Sequence, residues 1–261
     1  MKIALMDSGI GLLAATAAVR RLRPDADLVL SLDPDGMPWG PRTPQDLTER
    51  ALAVAEAAAA HRPDALIVGC NTATVHALPA LRARLEPAIP VIGTVPAIKP
   101  AAAAGGRVAI WATPATTGSA YQRGLIREFA DGVPVTEVPC WGLAEAVEHA
   151  DENAIDAAIA AAAALTPDDV TTVVMGCTHY ELVEDRIRAA VSKPGAPEPT
   201  LRGSAEAVAA QALRRMGEQP APDAPAVGTL TVLLSGREGM LPQAALAYRE
   251  GRLLPEVSPA T

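Results

Sequence analysis

The chain reads as an α/β protein built from two doubly wound parallel-sheet domains, on three grounds. Short β-rich apolar runs alternate with segments of helical period from the first residues onward. The alternation breaks at Val95-Pro96-Ala97-Ile98-Lys99-Pro100 and then restarts. Finally, two stretches look alike, Val68-Gly69-Cys70-Asn71-Thr72 and Met175-Gly176-Cys177-Thr178-His179, and each comes after an apolar run with strand character. Open α/β sheets place their chemistry where strands open into loops at their carboxyl ends. Two thiols at matching strand ends imply two halves of the chain facing one another across a cleft.

In chain order, Ile3 to Met6 forms a strand and Leu12 to Leu22 a helix, joined by the turn Asp7-Ser8-Gly9-Ile10-Gly11. The Ser8 hydroxyl and nearby amides suit either a helix cap or a bound carboxylate. Asp27 to Ser31 is a second strand. The irregular loop after it holds Pro38, Trp39 and Gly40, and its tryptophan is read as exposed, with packing against a neighbour as the alternative. Thr43 caps a long surface helix reaching Ala60, with Pro44 at its first position and Leu47, Ala51, Val54 and Ala58 on one face. Strand 65–68 leads to the first thiol motif, a helix through Leu81 and Leu85, and strand 91–94. A domain boundary falls near Pro96. The order βαβαβαβ implies parallel strands with right-handed crossovers.

The second half repeats the scheme. Strand 107–112 ends at Thr113-Pro114-Ala115-Thr116-Thr117, a helix covers about 119–129, and strand 135–138 runs into Cys140-Trp141-Gly142. Helical stretches come next at 143–149 and 153–165, and strand 171–175 delivers the second thiol motif. Segments 192–199 and 219–225 are connections. Between them lies a helix from Ser204 to Met216, started by a serine cap. The β-rich stretch 230–235 is expected to return to the first sheet, and the tail from Pro255 is expected to be poorly ordered.

The length of 261 residues suits one large domain or two smaller ones. A net charge of −8 without any Lys/Arg block leaves no electrostatic footprint for nucleic acid or an anionic membrane, so a small molecule is the expected partner. No apolar run reaches the roughly 18 residues needed to span a bilayer. The short apolar stretch after Met1 is too brief for a signal-peptide core, so a cytoplasmic location is expected. Three cysteines and no secretion signal argue against a disulfide framework.

The paired thiols admit four readings. Structural zinc lacks Cys-x-x-Cys spacing, and His61, His76, His149 and His179 are scattered. A redox pair is neither supported nor excluded by sequence. Burial as a small hydrophobe is the general alternative and fits Cys140. The fourth reading is acid/base chemistry on both faces of one carbon, which needs two like groups whose roles reverse with direction. A thiol of pKa about 8.5 is only a few per cent ionised at pH 7, at a cost of about 2 kcal/mol, so each needs a helper. Asp7 ends the strand expected beside that of Cys70, and His179 lies two residues from Cys177.

Together these residues resemble the glutamate racemases of the cofactor-independent aspartate/glutamate racemase superfamily. The resemblance rests on Asp7-Ser8-Gly9, Pro38-Trp39-Gly40, Cys70-Asn71-Thr72-Ala73, Ala112-Thr113-Pro114 with Thr116, Ser119 and Tyr121, and Gly176-Cys177-Thr178-His179-Tyr180. It covers residues 1 to about 204 well and the C-terminal part loosely. It implies two pseudo-symmetric domains, residues 97–204 being inserted between 1–96 and 205–261, with the active site in the cleft between them. It assigns Cys70 to the D enantiomer and Cys177 to the L enantiomer, with Asp7 assisting Cys70, and His179 and Glu148 assisting Cys177. Ser8, Asn71, Thr72, Thr116 and Thr178, with the backbone around Pro38, Trp39 and Gly40, would hold the substrate.

The resemblance further implies glutamate as substrate, D-glutamate for peptidoglycan as product, no metal, no cofactor and room for a homodimer. Trp39 stands where the family has Tyr, Trp141 where it has Pro and Gly203 where it has Asp. These departures touch specificity and spare the acid/base groups. Rival readings are a racemase for aspartate or another acidic amino acid, a superfamily decarboxylase, which needs one thiol only, and a gyrase-inhibiting protein without catalysis.

Overall fold

A strand covered by helices on both faces must be apolar along its whole length, and Ile3, Ala4, Leu5 and Met6 are all fully buried. The computed structural model describes residues 1–254, so the expectation for the tail from Pro255 lies outside the described residues. In order, the elements are β1 (Lys2–Asp7), α1 (Leu13–Leu22), β2 (Asp27–Leu32), α2 (Pro44–Ala59), β3 (Ala65–Val68), α3 (Asn71–Leu85), β4 (Val91–Gly93), α4 (Ile98–Ala103) and β5 (Arg107–Ala112). Next come α5 (Ala120–Phe129), β6 (Val135–Pro139), α6 (Leu143–Glu148), α7 (Glu152–Ala164), β7 (Val170–Met175), α8 (Glu184–Val191) and β8 (Thr200–Arg202). The chain ends its described part with α9 (Ala205–Met216), β9 (Leu230–Leu234), β10 (Arg237–Gly239) and α10 (Arg249–Arg252). Two compact units result, one made of residues 1–94 with the chain from Ala205 onward, the other of 95–204.

In the first unit the sheet runs β10-β9-β2-β1-β3-β4. All neighbours are parallel except β10, which folds back antiparallel on β9. The turn between them is Ser235-Gly236, with φ of 46° and 80°. Two consecutive positive φ values are what a two-residue hairpin of matching twist requires. The β-rich stretch near residue 230 thus returns to the first sheet, beside β2. Helix α2 starts as expected: Thr43 Oγ1 accepts from Asp46 N, Pro44 opens the helix, and Leu47, Ala51, Val54 and Ala58 are buried.

In the second unit the sheet runs β6-β5-β7-β8, all parallel. Its order is that of β2-β1-β3-β4. In such sheets the first strand of each unit lies between the second and the third, and the crevice at the carboxyl ends of first and third strands is the switch point. Among the described residues, no helix is long and apolar enough to cross a membrane.

Two local expectations need correction. Trp39 is not exposed: only 1% of it is accessible, and it packs in the core that also holds Met6, Leu47, Ala51 and Cys70. Its loop folds inward because the indole N–H finds a buried acceptor there, Asp33 Oδ2 at 2.9 Å. Residues from Ile98 onward, read as a break, form α4, which buries Ile98 and Ala101.

The return of β9 depends on a close approach at Gly228, where a Cβ would lie 2.0 Å from Ala26 O and 2.2 Å from an Arg20 guanidinium nitrogen. Arg20 donates to the carbonyls of Pro24, Ala26 and Thr229 there. Gly228→Ala is therefore expected to destabilise the protein by about 1–3 kcal/mol. The check is urea unfolding, with a lower midpoint and an unchanged slope.

Candidate active site

The first thiol is placed by the register of β1 and β3. Met6 pairs with Val68, and the Gly69 N–H donates to Met6 O at 2.7 Å, so Asp7 lies beside Gly69-Cys70 at the switch point. Glycine is needed because a Cβ at position 69 would come within 3.0 Å of Leu12 Cβ and 3.3 Å of Met6 O. Asp7 is fully buried, and its Oδ1 accepts from the Ser8 N–H at 2.6 Å and from Ser8 Oγ at 3.3 Å. Ser8 and Asn71 are buried and Thr72 is half-buried. Cys70, 8% exposed, occupies the N-cap position of the 15-residue α3. The partial positive charge at that helix end favours a thiolate. Of the loop residues, Pro38 is exposed and follows a cis Met37–Pro38 bond, and Gly40 is half-buried.

The second thiol is placed the same way. Trp111 of β5 pairs with Met175 of β7, and the Gly176 N–H donates to Trp111 O at 2.7 Å. A Cβ at Gly176 would meet that carbonyl at 2.9 Å. Cys177 comes next, half-buried. The two units differ in the proton partner. The position equivalent to Asp7 is Ala112, and Cys177 opens a six-residue 3-10 turn rather than a long helix. Its partner is instead His179, whose Nδ1 lies 3.8 Å from Cys177 Sγ. His179 Nε2 lies 2.9 Å from Glu148 Oε2 at the end of α6, with both side chains largely buried. A carboxylate in that place holds the ring orientation and stabilises its protonated form.

Thr178 is buried in the same turn, and buried Thr116 accepts from Thr113 Oγ1 at 3.3 Å beyond the neighbouring strand β5. The expected residues thus assemble within each unit: Asp7, Ser8, Cys70, Asn71 and Thr72 in the first, and Cys177, Thr178, His179 and Glu148 in the second. Cys140 lies just past β6, outside that unit's switch point. It is 1% exposed, and burial pushes its thiol well above the ordinary range, so it stays protonated.

Two carboxylates escaped the sequence reading. Asp33 sits in an ordinary Asp-Pro-Asp-Gly turn, whose composition gives no hint that its side chain is buried and holds Trp39. Glu181 lies in the Cys177 turn and accepts from Ser204 N at 2.7 Å and Ser204 Oγ at 2.9 Å. It fills the space over Gly203, where a Cβ would approach Glu181 Oε2 to 2.3 Å.

Among the described residues there is no group of three or more His, Cys, Asp and Glu that could hold a metal ion. Thiols at the switch points of two like sheets, with a carboxylate on the strand beside one and an imidazole near the other, are groups suited to acid/base chemistry in an α/β enzyme. Residues 12–210 match the Asp/Glu/hydantoin racemase model, and the chain belongs to that family of isomerases. The glutamate racemase of Roseiflexus sp. (strain RS-1) is 38% identical over 192 residues, 72% of this chain and 70% of the relative. That of Salmonella gallinarum is 33% identical over 252 residues, 92% and 87% of the two chains. The Escherichia coli glutamate racemase, solved with L-glutamate and the activator UDP-MurNAc-Ala, is similar with a TM-score of 0.73 at 29% identity, covering 84% of each chain.

Proposed function

We propose that the protein interconverts L- and D-glutamate without a cofactor, through proton transfer at the α-carbon by two thiols. The observation that carries this reading is the matched placement of Cys70 and Cys177, each one residue past a strand-end glycine, with Asp7 at the end of the strand beside Cys70 and His179 Nδ1 3.8 Å from Cys177. One thiolate removes the α-proton, the electron pair passes into the substrate carboxylate, and the other thiol returns a proton to the opposite face. Asp7 serves Cys70, and His179 with Glu148 serves Cys177. Roles reverse with direction. Ser8, Asn71, Thr72, Thr116, Thr178 and the Gly40 backbone are assigned to the substrate's carboxylates and amine.

Glutamate is the favoured substrate because relatives at 33–38% identity are named for it. Trp39 does not argue against this, since its N–H is already committed to Asp33. The product is assigned to peptidoglycan synthesis in the cytoplasm, and a homodimer is the assembly to look for by sedimentation. The test is circular dichroism on L-glutamate with enzyme and no cofactor. The signal is expected to decay to zero, and to decay more slowly with L-aspartate. A stable signal with glutamate, or carbon dioxide release from a substituted malonate, would overturn the reading.

A further inference from the structure

One buried carboxylate takes no part in the proton transfers: Asp33, 3% exposed at the carboxyl end of β2. Four segments meet on it. Its Oδ2 accepts from Trp39 Nε1 at 2.9 Å and from an Arg50 guanidinium nitrogen at 3.2 Å. Its Oδ1 accepts from Ser235 Oγ at 3.0 Å. Its backbone N–H donates to Ser8 O at 3.2 Å, and its carbonyl accepts from the N–H groups of Gly36 and Met37, each at 3.0 Å. Gly36 is pressed against the same carboxylate, since a Cβ there would lie 1.9 Å from Asp33 Oδ2.

Two further observations show that more than a turn is being held. Ser235 carries a left-handed φ of 46°, uncommon for a residue with a side chain. Its hydroxyl is used twice, donating to Asp33 and accepting from Asp35 N at 3.1 Å. Trp39, for its part, belongs to the packed core that also includes Cys70. An indole has one donor and no acceptor, so a buried one is oriented by the acceptor it finds, here Asp33.

We infer that Asp33 is a positioning residue for the Cys70 half of the site, fixing the indole of Trp39 in the core it shares with Cys70 and the backbone of Ser8 next to Asp7, with Ser235 of the returning hairpin holding the carboxylate in place. This rests on the functional reading above for the roles of Cys70 and Ser8. It explains why the C-terminal strand pair belongs to the same unit as the first thiol: the hairpin supplies one of the donors that orient Asp33.

The test combines a spectroscopic and a kinetic readout on the full chain. In ¹H–¹⁵N spectra the Trp39 indole signal, assigned by its loss in Trp39→Phe, is expected to move in Asp33→Asn while those of Trp111 and Trp141 stay. The KM for glutamate, which does not depend on the fraction of folded enzyme, is expected to rise roughly tenfold in Asp33→Asn. It should rise by much less when that change is added to Trp39→Phe, because the partner is already gone. Ser235→Ala, a milder change, should move the indole signal and KM in the same direction. An unmoved indole signal, or an unchanged KM in both Asp33→Asn and Ser235→Ala, overturns the inference in an enzyme that racemises glutamate. A wild-type protein inert toward glutamate overturns instead the functional reading, while the indole signal still reports whether Asp33 anchors Trp39.

Discussion

Cys177→Ser and Cys70→Ser are each expected to lower racemisation by about 10³-fold or more, the scale on which a positioned acid or base contributes. A serine hydroxyl keeps the shape of the thiol, but it is far too weak an acid to be ionised by a histidine or an aspartate. Either variant still holds one competent thiol, and that gives the experiment its resolving power. In deuterium oxide the wild-type enzyme should place deuterium on the α-carbon of the inverted product. Cys70→Ser should exchange the α-proton of L-glutamate with retention, through Cys177, and leave D-glutamate untouched. Cys177→Ser should show the mirror result. Both are read by proton NMR of the substrate and polarimetry of the mixture. Racemisation that survives either substitution near the wild-type rate refutes the two-thiol assignment.

Much of this site was legible because parallel strands buried on both faces read as unbroken apolar runs. Ala65 to Val68 and Thr172 to Met175 announce themselves that way, and the residues directly after each run must lie at the carboxyl edge of a sheet. Asp7 was found by the same logic, since strand order places β1 next to β3. Side-chain direction stayed hidden in segments without a period. Nothing in Pro38-Trp39-Gly40 says that the indole turns inward, because its acceptor is Asp33, in a stretch that reads as a solvent-facing turn. Helix α8 and the three-residue β8 carry too short a pattern to stand out. The Ser235-Gly236 hairpin was missed for a related reason: serine is an uncommon residue for the first position of such a turn, and only its bonds to Asp33 and Asp35 make it suitable. Glu181 shows the same limit from another side. Gly203 looked like a lost carboxylate in sequence, but the space above it is filled by a carboxylate from a distant position.

His179→Asn is expected to lower kcat by on the order of 10²- to 10³-fold, and Glu148→Gln by roughly 10- to 100-fold. The asymmetry between the units is the reason. Cys70 has a buried carboxylate next to its strand and the end of a 15-residue helix behind it, whereas Ala112 stands where the second unit would need an acid. The imidazole near Cys177 is that of His179, with Nδ1 at 3.8 Å from the thiol and Glu148 at 2.9 Å on the far ring nitrogen, and the proposed relay runs through it. Asparagine keeps a polar group of similar reach but cannot take up a proton. Glutamine keeps a hydrogen-bonding oxygen for the ring but removes the charge that stabilises it once protonated, so its effect is smaller. In the proposed relay Glu148 acts through His179, so the double variant should be no slower than His179→Asn alone, a coupling that independent contributions would not give. Stopped assays in both directions check this. Enantiomers have equal free energy, so kcat/KM must fall by the same factor for L- and D-glutamate in every variant. The relay is recognised by the size of the fall and its non-additivity, and multiplicative effects of the two substitutions would show that Glu148 acts on something other than His179.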